Sequence, residues 1–102
     1  MPLTSKERAE LRGEAHHLSP LVHVGHQGLT ETLLRSVDDA LRTHLLVKVA
    51  LAKTTDAKPK DAAHQLAEQL GAEVVQTIGR TCTLFRDNPD LKRKKGDPPP
   101  WR

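Results

Sequence analysis

The chain is nearly without aromatic residues: it has no tyrosine, one phenylalanine (Phe85) and one tryptophan (Trp101) in 102 residues. Recognition sheets that stack bases need several aromatics on adjacent strands, so that class of nucleic-acid reader is excluded. Any nucleic-acid contact would have to run through the backbone, with shape and charge ahead of base sequence. A single cysteine, Cys82, rules out an internal disulfide, and no cysteine pair or His-Glu-x-x-His pattern exists to build a zinc site. A nucleotide-binding P-loop is missing too. No apolar run is long enough to span a membrane, and the N-terminal residues lack the charged, apolar and small-residue order of a signal peptide, which with the lone cysteine leads to an expected cytoplasmic location. What is present is a formal net charge of +3 at pH 7, and a length that suits one domain with a modest core.

The hydrophobic pattern orders the elements. Thr4 followed by Glu7 reads as a capping box that opens a first helix, with Leu11 and Ala15 on its apolar side and an end near His16. Ser19 and Pro20 stop it. Residues 21–24, bounded by Pro20 and Gly25, read as a short strand. Leu33, Leu34, Val37, Ala40 and Leu41 recur at helical spacing behind Thr30, the expected N-cap. Leu45, Val47, Val49 and Leu51 alternate with Leu46, Lys48, Ala50 and Ala52, which predicts a second strand with Lys48 on the face opposite the valines. Pro59 suits the first turn of a third helix, whose apolar side is Ala62, Ala63, Leu66, Ala67 and Leu70, and Gly71 is the expected C-terminal cap. Residues 73–78 and 81–86 flank Gly79-Arg80, the composition of a type II′ hairpin. After Arg86 the pattern dissolves into charged residues and proline.

The expected fold is therefore α/β: a compact two-layer domain of order α-β-α-β-α-β-β with helices packed on a mixed four-stranded sheet. Residues 1–86 form the expected domain, and residues 87–102 the expected flexible, basic, proline-rich tail.

The most informative stretch is Gly25-His26-Gln27-Gly28, placed between the first strand and the second helix. Glycines let the chain take positive φ and let a phosphate approach the backbone, and the positive end of the following helix then faces the anion. Two glycines three apart also make ordinary turns, so the neighbouring residues have to carry the argument.

Those neighbours bring a resemblance. Leu11-Arg12-Gly13 with Ala15-His16 and Leu18, the strand at residues 20–24, Gly25-x-x-Gly28 running into Leu29-Thr30-Glu31, Leu46-Val47-Lys48-Val49, and Ile78-Gly79-Arg80-Thr81 ahead of Leu84-Phe85-Arg86 together resemble the bacterial YhbY family. These are stand-alone forms of the CRM (chloroplast RNA splicing and ribosome maturation) domain. The likeness covers roughly residues 3–86. It implies an α/β RNA-binding fold similar to the C-terminal domain of bacterial translation initiation factor three, and an association with precursors of the large (50S) ribosomal subunit and their rRNA. It also implies RNA contact through Gly25, His26, Gln27 and Gly28, with Thr30 at the helix N-terminus beside them. His26 and Gln27 are uncharged at neutral pH, so this loop departs from more basic ones and must act through backbone N–H groups, the helix dipole and side-chain hydrogen bonds.

Arg12, His16, His17 and Arg80 are the next candidates for the RNA surface, and Lys92, Arg93, Lys94 and Lys95 form a possible electrostatic anchor in the tail. A solvated charged face accounts for the helix arginines about as well. The histidines at 16, 17, 23 and 26 do not converge in the expected strand geometry, and Cys82 falls in a strand with no His or Asp beside it in sequence. The expectation is a monomeric RNA-binding protein that is not an enzyme and has no metal or cofactor. The rival is a protein-interaction module that meets a ribosomal protein or assembly factor, its glycine turn purely structural.

Overall fold

The computed structural model describes residues 3–91 and 96–102. Its elements are α1 (Ser5–Ala15), β1 (Val22–Val24), α2 (Glu31–His44), β2 (Leu46–Leu51), α3 (Pro59–Leu70), β3 (Glu73–Ile78) and β4 (Thr81–Phe85). The capping box at Thr4 and Glu7 forms in both directions, each bond 3.1 Å. The Thr30 hydroxyl caps α2 by accepting from the Leu33 N–H at 3.1 Å. Gly71 ends α3 in the left-handed conformation, which glycine enters without steric cost. Gly79 has φ 56° while Arg80 has no positive φ, the combination of a II′ hairpin turn.

The strands form one sheet in the order β1-β2-β4-β3. β1 pairs parallel to β2, whereas β4 lies antiparallel to both of its neighbours. The parallel pair is joined through α2. β3 reaches its place through α3 and leaves β4 to fill the gap between β2 and β3.

The apolar alternation of β2 sorts its side chains between two cores. Val47, Val49 and Leu51 join Val22, Val24, Cys82 and Leu84 under α2 and α3, where Val37, Leu41, Ala62, Ala63 and Leu66 close the main cluster. Each valine or leucine buried there contributes roughly 1.5–3 kcal/mol. Leu46 points the other way and packs with Leu11 of α1 and Val75 of β3. That Val75 reaches α1 follows from a bulge, because the register between Val74 and Gln76 skips it. Sheet and α2–α3 thus make the expected two layers, and α1 adds a partial third over one end of the opposite face.

Two expectations shift in detail. Leu45, which the alternation places in β2, is instead the C-cap of α2 at φ 65°. Helix and strand meet there with no intervening loop, so one residue must reverse the chain, and the buried leucine side chain occupies that corner. Leu21 precedes β1; its N–H donates to the Lys48 carbonyl of β2 at 3.0 Å, and its side chain is 52% exposed.

The segment after β4 also differs from an unattached tail over its described part. Trp101 packs edge-on against Phe85 with ring centroids 6.3 Å apart, and Arg102 pairs with Glu14 of α1. The physical reason is apolar: Leu3, Leu18, Phe85 and Trp101 together complete the cover over Leu11, Leu46 and Val75. Lys92, Arg93, Lys94 and Lys95 lie outside the described residues. Among the described residues, no helix is long and apolar enough to cross a membrane.

Candidate nucleic-acid interface

The glycine loop begins where β1 runs out. A bond from Gly28 N–H to the Gly25 carbonyl (3.0 Å) closes a tight turn, and one from Thr30 N–H to the Gly28 carbonyl (3.0 Å) delivers the chain into α2. Leu29 packs on the main core and anchors the exit. Gly28 has φ 75°, a conformation that strains any residue with a Cβ.

Gly25 is different. Its φ is not positive, and a Cβ built on it meets nothing within 4 Å. The fold itself has no need of glycine there, and the space in front of it is open to a ligand. Among the described residues, the N–H groups of His26, Gln27 and Leu29 make no backbone bond, and neither do those of Glu31 and Thr32 in the first turn of α2. These donors, with the positive end of the helix dipole, are groups of the kind that can receive an anion. Glu31 stands exposed at the same turn, where it complements the dipole while no anion is bound.

Sheet topology decides which other residues reach this end. Because β1 and β2 are parallel, Val24 lies beside Leu51, and the Ala52 N–H donates to the Val24 carbonyl at 2.9 Å. Because β4 is antiparallel to β2, the hairpin tip arrives at the same place: Ala50 pairs with Thr81. Arg80 then donates through Nε to the Leu51 carbonyl (3.2 Å) and through Nη2 to the Ala52 carbonyl (2.6 Å). Arg80 is thus at the glycine-loop end of the sheet, half-buried and partly committed to latching β2, with guanidinium N–H groups to spare. Lys53, exposed and next to Ala52, joins it. Lys53 lies in the polar stretch between β2 and α3, where no motif marks it, and only the crossing of strands brings it to this place.

The remaining candidates are dispersed. Arg12 is exposed on α1, whose packing face is turned to the side of the sheet away from α2. His16 lines a cavity of about 360 Å³ over the uncovered half of that face, together with Lys48, Gln76 and Thr83. Lys48 does lie opposite the valines, and its Nζ donates to the Leu18 carbonyl at 3.1 Å. His17 lines another cavity with Trp101 and Arg102. His23 and His26 both border a groove of about 500 Å³ beside the glycine loop. Among the described residues, no three His, Cys, Asp or Glu side chains are grouped to hold a metal ion. Cys82 is buried, and desolvation pushes its thiol up to about 11, so it carries little thiolate at neutral pH.

Comparison with known proteins agrees with this architecture. The CRS1/YhbY (CRM) domain model matches residues 3–86. The chain is 32% identical over 91 residues to the Probable RNA-binding protein YqeI of Bacillus subtilis, spanning 89% of this chain and 95% of that protein. It is 36% identical over 90 residues to an RNA-binding protein of Haemophilus influenzae, spanning 88% and 91%. The solution structure of the hypothetical protein SAV1595 from Staphylococcus aureus aligns with a TM-score of 0.76 at 31% identity, covering 89% of this chain and 95% of that one.

Proposed function

The chain belongs to the CRS1/YhbY (CRM) domain family, and from that premise we propose that it binds RNA at the glycine-loop end of its sheet. The observation that carries this reading is Gly25, a glycine the fold does not require, facing open space beside unbonded N–H groups. A phosphate seated there accepts from the loop and the first turn of α2, while Lys53 and Arg80 add charge at the adjacent strand ends. Relatives named as RNA-binding proteins support RNA as the partner.

The finer reading is that the RNA is large-subunit rRNA in 50S precursors, which the protein holds as a cytoplasmic monomer while the subunit matures. The work is binding, not chemistry. Release follows when the mature rRNA fold competes for the same phosphates. The test is ultraviolet crosslinking in gradient-fractionated extract, with the attached RNA sequenced and each fraction repeated after nuclease. Crosslinks concentrated in large-subunit rRNA from precursor fractions, lost in a Gly25→Ala, Gly28→Val variant that still folds, are expected. Comigration that survives nuclease would instead mark a protein partner.

A further inference from the structure

Charge is segregated at the glycine-loop end. Lys53 and Arg80 stand at the tips of the sheet, but the groove of about 500 Å³ next to the loop is lined by no lysine, arginine, aspartate or glutamate among the described residues. One wall is β1, an edge strand that pairs only with β2, preceded by the exposed Leu21. The other wall is α2, which turns Thr32, Leu33 and Ser36 toward it. The Ser36 hydroxyl donates to the Thr32 carbonyl at 3.1 Å and keeps its lone pairs for an incoming donor. The Thr32 hydroxyl makes no hydrogen bond among the described residues, so it can donate and accept.

A nucleotide has the same division, an anionic phosphate joined to an uncharged base with an apolar face and polar edge. Resting on the RNA-binding reading above, we infer that this groove is a base-reading subsite for unpaired nucleotides. A phosphate seated on residues 25–28 directs its base between β1 and α2, over Leu21 and Leu33, with the base edge toward Thr32 and Ser36. Paired bases are stacked inside a duplex and would have to unpair to reach this groove. Its volume lies in the range of small-molecule sites, room for one or two bases. The protein therefore prefers single-stranded RNA and discriminates among bases despite its lack of stacking aromatics.

The test uses the full chain with single-stranded hexaribonucleotides of uridine, adenosine or cytidine, an abasic hexamer with the same number of phosphates, and a duplex of equal length. Affinity is read by fluorescence anisotropy, and the site by chemical-shift mapping. At least one base-bearing strand is expected to bind about tenfold more tightly than the abasic strand and the duplex. Leu21, Thr32 and Ser36 should shift only with base-bearing strands, whereas residues 25–28 should shift with abasic RNA too. In Ser36→Phe, which fills the groove from an exposed helix position, the advantage over the abasic strand should vanish. Equal binding of abasic and base-bearing strands, or of duplex and single strand, overturns the groove while leaving the phosphate clamp intact. Shifts on the uncovered sheet face in place of the groove overturn it as well. No binding of any strand brings down both readings.

Discussion

At the Leu46 and Phe85 end of the sheet, side chains fill the available space: Leu11, Val75 and Trp101 close over Leu46, which is 1% exposed, and Arg102 pairs with Glu14 across the outside. At the Leu51 and Thr81 end the chain offers mostly backbone. Two glycines flank a loop with N–H groups left over, and Arg80 spends part of its guanidinium on the Leu51 and Ala52 carbonyls at the end of β2. The first end is assembled by removing apolar surface from water, so its contribution is to stability. The second has its apolar side chains buried beneath α2 and α3 but leaves loop N–H groups without backbone partners, and those groups are available to a ligand that completes them. In a small domain the two tasks are divided between opposite ends of one sheet.

The sharpest way to break that division is from the sealed end. Leu46→Ala should cost about 2–5 kcal/mol, the usual range for a buried leucine, seen as a lower denaturation midpoint, with RNA affinity per folded molecule unchanged. Trp101→Ala should cost less, about 1–2 kcal/mol, because the ring is only half-buried. The loss of the Phe85 ring contact would be visible in the near-ultraviolet dichroism of the native state. If Trp101→Ala left stability unchanged, the docking of the C-terminal segment would contribute nothing to the fold.

The open end should respond in the opposite sense. Gly25→Ala is expected to leave the melting temperature within a degree or two, since nothing in the fold crowds the new methyl, yet to weaken RNA binding about tenfold, equivalent to about 1.4 kcal/mol. A titration against RNA at increasing salt, plotted on logarithmic axes, should also lose slope by about 0.7 for each single-strand phosphate released. Unchanged affinity would reduce the loop to a turn.

The smallest effect concerns an ion pair at the sealed end, on the side of the sheet that carries α2 and α3. The Asp38 carboxyl lies below its ordinary value of 3.8 because Arg86 hydrogen-bonds to it, against the opposing effect of desolvation, with further attraction from Arg86 and Arg42. Arg86 Nη1 donates to Asp38 at 2.7 Å and to the Leu70 carbonyl at 2.9 Å, linking α2, α3 and the end of β4. A depressed folded pKa adds stability above the unfolded value that is lost as pH falls through the folded one. Asp38→Asn should therefore melt somewhat lower than the parent at neutral pH, and the gap should close in melts carried down into the acid range. A gap that stayed constant to low pH would show that the charge is not what matters.

Much of this architecture could be read along the chain because its signals are local. Thr4 with Glu7, Thr30, Pro59, Gly71 and Gly79-Arg80 act within a few residues of themselves, and each forms the cap or turn its chemistry prescribes. Leu45 does not declare its element in the sequence, since an apolar residue fits a helix corner as well as a strand. Trp101 looked like part of a tail because its partner Phe85 is distant along the chain and separated by polar residues, and sequence periodicity says nothing about such a contact.

The order of elements, the capped helices, the glycine loop and the absence of stacking aromatics were determined by the sequence alone, through steric preference and hydrophobic period that act over a few bonds. Tertiary structure alone decided that Lys53 and Arg80 gather at the end of the glycine loop while Arg12 and His17 do not, that a groove without lysine, arginine, aspartate or glutamate opens between β1 and α2, and that Gly25 is free of any steric duty. Those are consequences of strand order, which brings together residues far apart in the chain, and strand order is set by the burial of two apolar faces at once.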